Sequence, residues 1–288
     1  MKDYLVKALA FNDEIRAYAV STTHLVAEIC RRQGCYPTAS AALGRTLTAG
    51  AMMGSSLKGK ENLTIRINGK GPIGSIIVDA NGKGEVRGYV TNPGVHFQYH
   101  SGKLNVGMAV GIDGELSVTK DLGLKDYFTG QVPLQTGEIG DDFTYYFAVS
   151  EQIPSAVGVG VLVDTDGGVQ AAGGFMIQVM PEASEATLTK LETALANIKP
   201  ISGMIDEGKT PEMILAAILG EGEFRVLARQ EVSFRCHCSK EKFEKGIINL
   251  GTTEIEKMIK EDDGAEAVCH FCMERYQFTV PELEHLKK

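Results

Sequence analysis

The chain has 288 residues, 43% of them hydrophobic and 23% charged, with a formal net charge of -8 and a pI near 5.4. That length and apolar content are enough for one large domain and a smaller one, each folding around its own core. The acidic balance argues against a general nucleic-acid surface, which needs clustered Lys and Arg to displace counterions; no basic run is longer than two residues, as at Arg31-Arg32. The opening stretch MKDYLVKALAFNDEIRAYAV carries charges every few positions, and nowhere does an apolar run reach membrane-spanning length. A soluble cytoplasmic protein with no membrane or nucleic-acid partner is therefore expected, and in a reducing compartment clustered cysteines point to metal or redox chemistry rather than to a disulfide framework.

In chain order, the first predicted helix is STTHLVAEICRRQ, which opens on hydroxyl residues suited to capping and places Leu25, Val26 and Ile29 at helical spacing. A second, PTASAALGRTLTAGAMMGSSL, starts at Pro37 and is rich in small residues and Met, which suits a core helix better than an adaptable surface. Short β-branched runs between Gly, Asn and Asp turns then predict strands: LTIRI (63–67), IGSIIVDA (73–80), GEVRGYV (84–90), LNVGMAVG (104–111), ELSVTK (115–120), VGVGVLVD (157–164) and GGFMIQVM (173–180). Their close spacing favours antiparallel meanders over βαβ units. The segment DDFTYYFAVSEQIPS fits either period; its acidic start and Pro154 favour a helix.

Two motifs in this region mimic function. GKGPIG (69–74) satisfies the dinucleotide fingerprint, but Pro72 and a strand follow where a helix N-terminus is needed, so a glycine turn is expected. His96 and His100 could share a strand face, yet no third ligand is near in sequence, and they read as ordinary loop or strand residues.

After Pro181 the texture changes. EASEATLTKLETALANIK is an amphipathic helix ended by Pro200, and TPEMILAAILGEG is a second, with Thr210 as N-cap, Pro211 in the first turn and Gly220 as stop. The resulting division is an α+β domain over residues 1–181, large and mostly antiparallel with packed helices, a helical linker over 182–230, and a small zinc-binding module over 231–288. That last module has too little apolar content to stand without a staple.

The staple is legible in RCHCS and CHFC, which hold four of the six cysteines. Structural zinc takes four ligands in a tetrahedron, and two thiolates from each of two short loops supply them: Cys236 with Cys238, and Cys269 with Cys272. With the shell filled by sulfur, His237 and His270 are expected outside it. Either pair also has a resolving partner within reach should an oxidant make a sulfenic acid. Spacing leaves both a static structural site, the commoner use, and a redox switch open. Cys30 and Cys35, at the end of the first helix and in the turn after it, read as two free thiols.

The cysteine pattern, together with NGKGPIGSIIVDANGKGEVRGYVTNP (68–93), GELSVTKDLG and YFTGQVPLQTGEIGDDFTYYFAVSEQIPSAVGVGVLV (within 114–163) and GGFMIQVMP (173–181), resembles the thirty-three-kilodalton heat-shock chaperonin family over nearly the whole chain. The resemblance implies a non-enzymatic, ATP-independent holdase, inactive in reducing cytosol with one Zn2+ per chain on Cys236, Cys238, Cys269 and Cys272. It further implies that oxidation joins Cys236 to Cys238 and Cys269 to Cys272. Zinc then leaves, the C-terminal module and linker lose structure, and the protein dimerises and holds unfolding clients. Linker residues Leu188, Leu191, Leu195, Met213, Ile214 and Ile218 are then exposed, having packed as ordinary helix faces before. Two other readings make different demands. A zinc-ribbon nucleic-acid regulator requires a basic, aromatic face that the acidic KEKFEK does not supply, and a thiol-disulfide oxidoreductase must turn over substrate disulfides.

Overall fold

The computed structural model describes residues 2–287, and the chain divides into two compact units, Met1–Phe234 and Arg235–Lys288. In the first, β1 (Tyr4–Ala10) and β2 (Ile15–Ser21) form a hairpin, followed by α1 (Thr23–Gln33) and α2 (Pro37–Gly54). A meander of β3 (Asn62–Asn68), β4 (Ile76–Asn81) and β5 (Glu85–Val90) comes next, then α3 (Val106–Val110), β6 (Glu115–Asp121) and β7 (Phe128–Pro133). Helix α4 (Gly140–Val149) leads into the hairpin of β8 (Ser155–Val163) and β9 (Val169–Val179). Three helices, α5 (Glu185–Ala196), α6 (Ile201–Asp206) and α7 (Pro211–Leu219), precede β10 (Phe224–Glu231) and β11 (Ser233–Phe234).

The strands make two sheets, β10-β1-β2-β9-β8 and β11-β5-β4-β3-β6-β7. All pairings are antiparallel except that of β11 with β5. The chain thus adopts the mostly antiparallel α+β architecture that its closely spaced strands predict.

Helix α2 lies between the sheets, and its small residues are the reason it can. A Cβ on Gly44 would come within 2.6 Å of Val26 and 2.8 Å of Val161 on β8, and one on Gly50 within 2.8 Å of Val78 on β4. Both sheets approach the helix backbone at distances that larger residues would forbid. Met52 and Met53 are buried here, as a core helix requires.

The five-stranded sheet is apolar on both faces, read off by strict alternation. Leu5, Tyr18 and Val20 join α2 in the main core, whereas Val6, Ala8, Ala10, Ile15, Ala17 and Ala19 point the other way. That second face is covered by Leu191 of α5, Ile201 and Met204 of α6, and Ile214, Leu215, Ile218 and Leu219 of α7. Side-chain caps fix two of these helices: Ser184 Oγ accepts from Thr187 N at 3.3 Å and Thr210 Oγ1 from Met213 N at 3.3 Å.

Several expectations change. LNVGMAVG, expected as a strand, holds the short helix α3, because Asn105 Oδ1 accepts from Met108 N at 2.9 Å and buries Val106, Ala109 and Val110 on one face. The end of the expected helical linker, Phe224–Glu231, is a strand paired with β1. The hydroxyls expected to cap α1 do not: Thr22 Oγ1 pairs with Thr48 Oγ1 in the core at 2.7 Å, and the Asp3 carboxylate accepts from Leu25 N at 2.7 Å instead. GKGPIG is a turn without a following helix, held by Gly71 N donating to Val110 O at 2.9 Å.

The second unit contains α8 (Lys240–Leu250), α9 (Thr252–Glu261), the hairpin of β12 (Ala265–Val268) and β13 (Arg275–Phe278), and α10 (Val280–Leu286). Its core is Ile247, Ile255, Phe278 and Leu283, with Phe243, Met258 and Tyr276 packed at the margin.

Candidate metal centre

Two backbone devices bring the four C-terminal cysteines together. Cys236 and Cys238 lie on the extended approach to α8, where alternate residues face the same way, so the intervening His237 turns outward and is exposed. Cys269 and Cys272 sit in the turn between β12 and β13. Cys269 N donates to Glu274 O at 2.9 Å and Met273 N to Cys269 O at 2.7 Å, which folds the C-x-x-C loop back on itself. Met273 takes a left-handed conformation at φ +62°, a strained state for a side-chain-bearing residue. His270 is exposed on the outside of this turn.

The four sulfurs all lie within 4.8 Å of one another, and among the described residues they are the one group of three or more His, Cys, Asp or Glu side chains so placed. Cys236 Sγ is 3.7 Å from Cys269 Sγ, and Cys238 Sγ is 3.3 Å from Cys272 Sγ. A tetrahedron with metal–sulfur arms of about 2.3 Å has edges of about 3.8 Å, so the cluster fits a tetrahedral thiophilic ion with little adjustment.

The electrostatics point the same way. Burial works against ionisation of Cys238, but the Tyr276 hydroxyl, 3.2 Å from its sulfur, and the neighbouring thiols outweigh it and hold its pKa below the ordinary thiol value. Burial, in contrast, pushes the Cys236 and Cys272 thiols up. Where burial opposes ionisation of clustered thiols, a divalent cation at their centre would favour the thiolates and relieve their mutual repulsion.

Tyr276 was not foreseen from sequence. Its ring packs against Phe243 with centroids 5.1 Å apart, which fixes the hydroxyl over Cys238; its position on β13 after C-x-x-C was the available signal. The other candidates belong to the first unit. His96 Nδ1 is 3.2 Å from Thr38 Oγ1, Cys30 is buried in the main core and Cys35 is half-buried beside it.

With this geometry in hand, comparison with known proteins is direct. The family model described as Hsp33 protein matches residues 3–279. The 33 kDa chaperonin of Geobacillus kaustophilus (strain HTA426) is 60% identical over 289 residues, covering 100% of this chain and 98% of that protein. That of Bacillus subtilis (strain 168) is 58% identical over 286 residues, 99% of this chain and 98% of its own length. The crystal structure of the 33 kDa chaperonin (heat shock protein 33 homolog) from Thermotoga maritima matches with a TM-score of 0.92 at 37% identity, covering 100% of this chain and 98% of that one. The chain belongs to the Hsp33 family of 33 kDa chaperonins.

Proposed function

We propose that this chain is a cytoplasmic, ATP-independent holdase whose activity is set by the oxidation state of Cys236, Cys238, Cys269 and Cys272. The observation that carries the reading is the convergence of these four sulfurs within 4.8 Å in a unit whose apolar core is small. A zinc ion held by the four thiolates supplies a cross-link between the two ends of that unit, of about 10–16 kcal/mol in comparable small modules.

The residues can satisfy either metal binding or disulfide bonding, and one use removes the other. When peroxide oxidises a thiol, the sulfenic acid that forms is attacked by a second thiol; each closure consumes one peroxide, releases two waters and takes two electrons from the sulfur pair. Both sulfurs cease to be thiolate donors. Closure within each motif is what the family resemblance implies, and the close sulfur contacts between motifs make disulfide mapping the deciding measurement for the pairing. Once the metal is lost, the second unit unfolds. The helices over the outer face of the five-stranded sheet then loosen, and the apolar residues of α5 to α7 become a surface for unfolding proteins, with the active species a homodimer.

The test is a client that aggregates on warming, followed by light scattering with the chaperone reduced and zinc-loaded or pre-treated with peroxide. Suppression only after oxidation, with zinc released in step, is expected. Equal protection in both states sinks the switch, and repeated turnover of a substrate disulfide moves the assignment to an oxidoreductase.

A further inference from the structure

Helix α1 ends in a Schellman motif with a cysteine at each of the two positions that the motif brings into contact. Gly34 takes the left-handed conformation at φ +63°, Gly34 N donates to Arg31 O at 3.3 Å, and Cys35 N donates to Cys30 O at 3.0 Å. This is the paired six-to-one and five-to-two bonding of the motif, which sets the side chains of its first and last residues against each other. Those residues are Cys30 and Cys35, Cys30 buried in the main core and Cys35 packed against it. The backbone bond between the same two residues suits the Cα separation of about 4.4–6.8 Å that a disulfide spans. Ser40 frames both: Cys30 Sγ lies 4.0 Å from Ser40 O, and Ser40 Oγ donates to Cys35 O at 3.4 Å.

The geometry points to a second redox dithiol, separate from the C-terminal cluster: Cys30 and Cys35 close to a disulfide that staples the end of α1 while the first unit stays folded. The oxidant class is a hypohalous acid. Hypochlorous acid transfers chlorine to the half-buried Cys35 sulfur, whose proton leaves in water; the Cys30 sulfur then attacks Cys35, expelling chloride and losing its own proton. Two thiols and one hypochlorous acid become one disulfide, one water, one chloride and one proton. Mild peroxide acts poorly here, because the hydrogen bond to Cys30, and then burial, push the Cys35 thiol up and leave little thiolate. Closing this dithiol adds a constraint, where closing the C-terminal pairs removes one.

The chain offers a clean assay, since Arg31 and Arg32 lie between the two cysteines. Trypsin separates Cys30 from Cys35 unless a disulfide joins their peptides. Full-length protein is titrated with hypochlorous acid, alkylated and digested; the linked peptide is expected to become the main form of both cysteines. Equilibration with glutathione, folded and in urea, is expected to give a disulfide-to-dithiol ratio at least about tenfold higher in the folded chain. Gly34→Ala, which opposes the left-handed turn, is expected to lower the folded ratio towards that in urea. Persistently free or singly capped thiols, a folded ratio no higher than in urea, or a Gly34→Ala ratio equal to wild type each overturns the proposal.

Discussion

In the first unit, two sheets enclose a helix of small residues and a further set of helices covers the outer face of one of them, so dozens of apolar side chains are buried. In the second, the buried apolar side chains among the described residues are Ile247, Ile255, Phe278 and Leu283, with Cys269 and Cys272. A core in a unit of this size rarely supplies more than about 3–5 kcal/mol, whereas a structural zinc site supplies about 10–16 kcal/mol. The contrast teaches where control can be exerted. On the proposed reading, chemistry on sulfur decides whether the second unit is folded, while the two sheets and α2 of the first unit hold without it.

Metal removal tests this contrast most strongly. A chelator, or the double substitution Cys269→Ser with Cys272→Ser, is expected to abolish amide-exchange protection across residues 235–287 while β1, β2 and β9 keep theirs. Protection retained in both regions would break the contrast. Next in size is Leu215→Ala on α7, expected to cost about 2–5 kcal/mol by opening a cavity over the outer sheet face. Denaturant unfolding should show that loss in the first unit, with zinc stoichiometry unchanged.

Tyr276→Phe removes the hydroxyl beside Cys238 and is expected to cost about 0.5–1.5 kcal/mol. In zinc-loaded protein the pH midpoint of acid-induced zinc release should then move upward, because the hydrogen bond that favours the Cys238 thiolate is gone; an unchanged midpoint would assign the shift to the other thiols alone. The smallest effect concerns acid. Glu282, hydrogen-bonded by Lys240 at 2.5 Å and by Thr279, has its pKa lowered from 4.5 to about 2. A depressed folded value means its stabilising contribution is whole above pH 4.5 and disappears as pH falls through about 2. Glu282→Gln should flatten that limb of the second unit's acid unfolding curve, recorded on zinc-loaded variant and zinc-loaded wild type so that ligand protonation is common to both. An unaltered limb would show that solvent screening removes the contribution of this exposed pair.

How much was legible in the sequence depends on how local the cause was. The four sulfurs are legible because a tetrahedral shell drawn from two loops demands short spacings, α5 because its amphipathic pattern runs up to Pro200, and α7 because Thr210 and Pro211 mark its start within the segment itself. Tyr276 is not, since its role comes from the hairpin that carries it back over Cys238. Strand β10 is illegible for a stronger reason. Its exposed Arg225 and Arg229 resemble a solvated linker, and its extended conformation is imposed by β1, with Tyr4 opposite Glu231. Helix α3 misleads because V-G-M-A-V satisfies alternation as well as helical spacing, and Asn105 alone decides between them.

The pairing of β1 with β10 also sets a clock during synthesis. Strand β1 waits for Ile15–Ser21, which follows at once, and for Phe224–Glu231, which emerges among the last of its unit. At about 5–20 residues per second the interval is roughly 10–40 s. For most of it the apolar face of β1 and β2, later covered by α5, α6 and α7, has no helix over it. A protein of the Hsp33 family thus passes through its own birth in the state from which chaperones protect others.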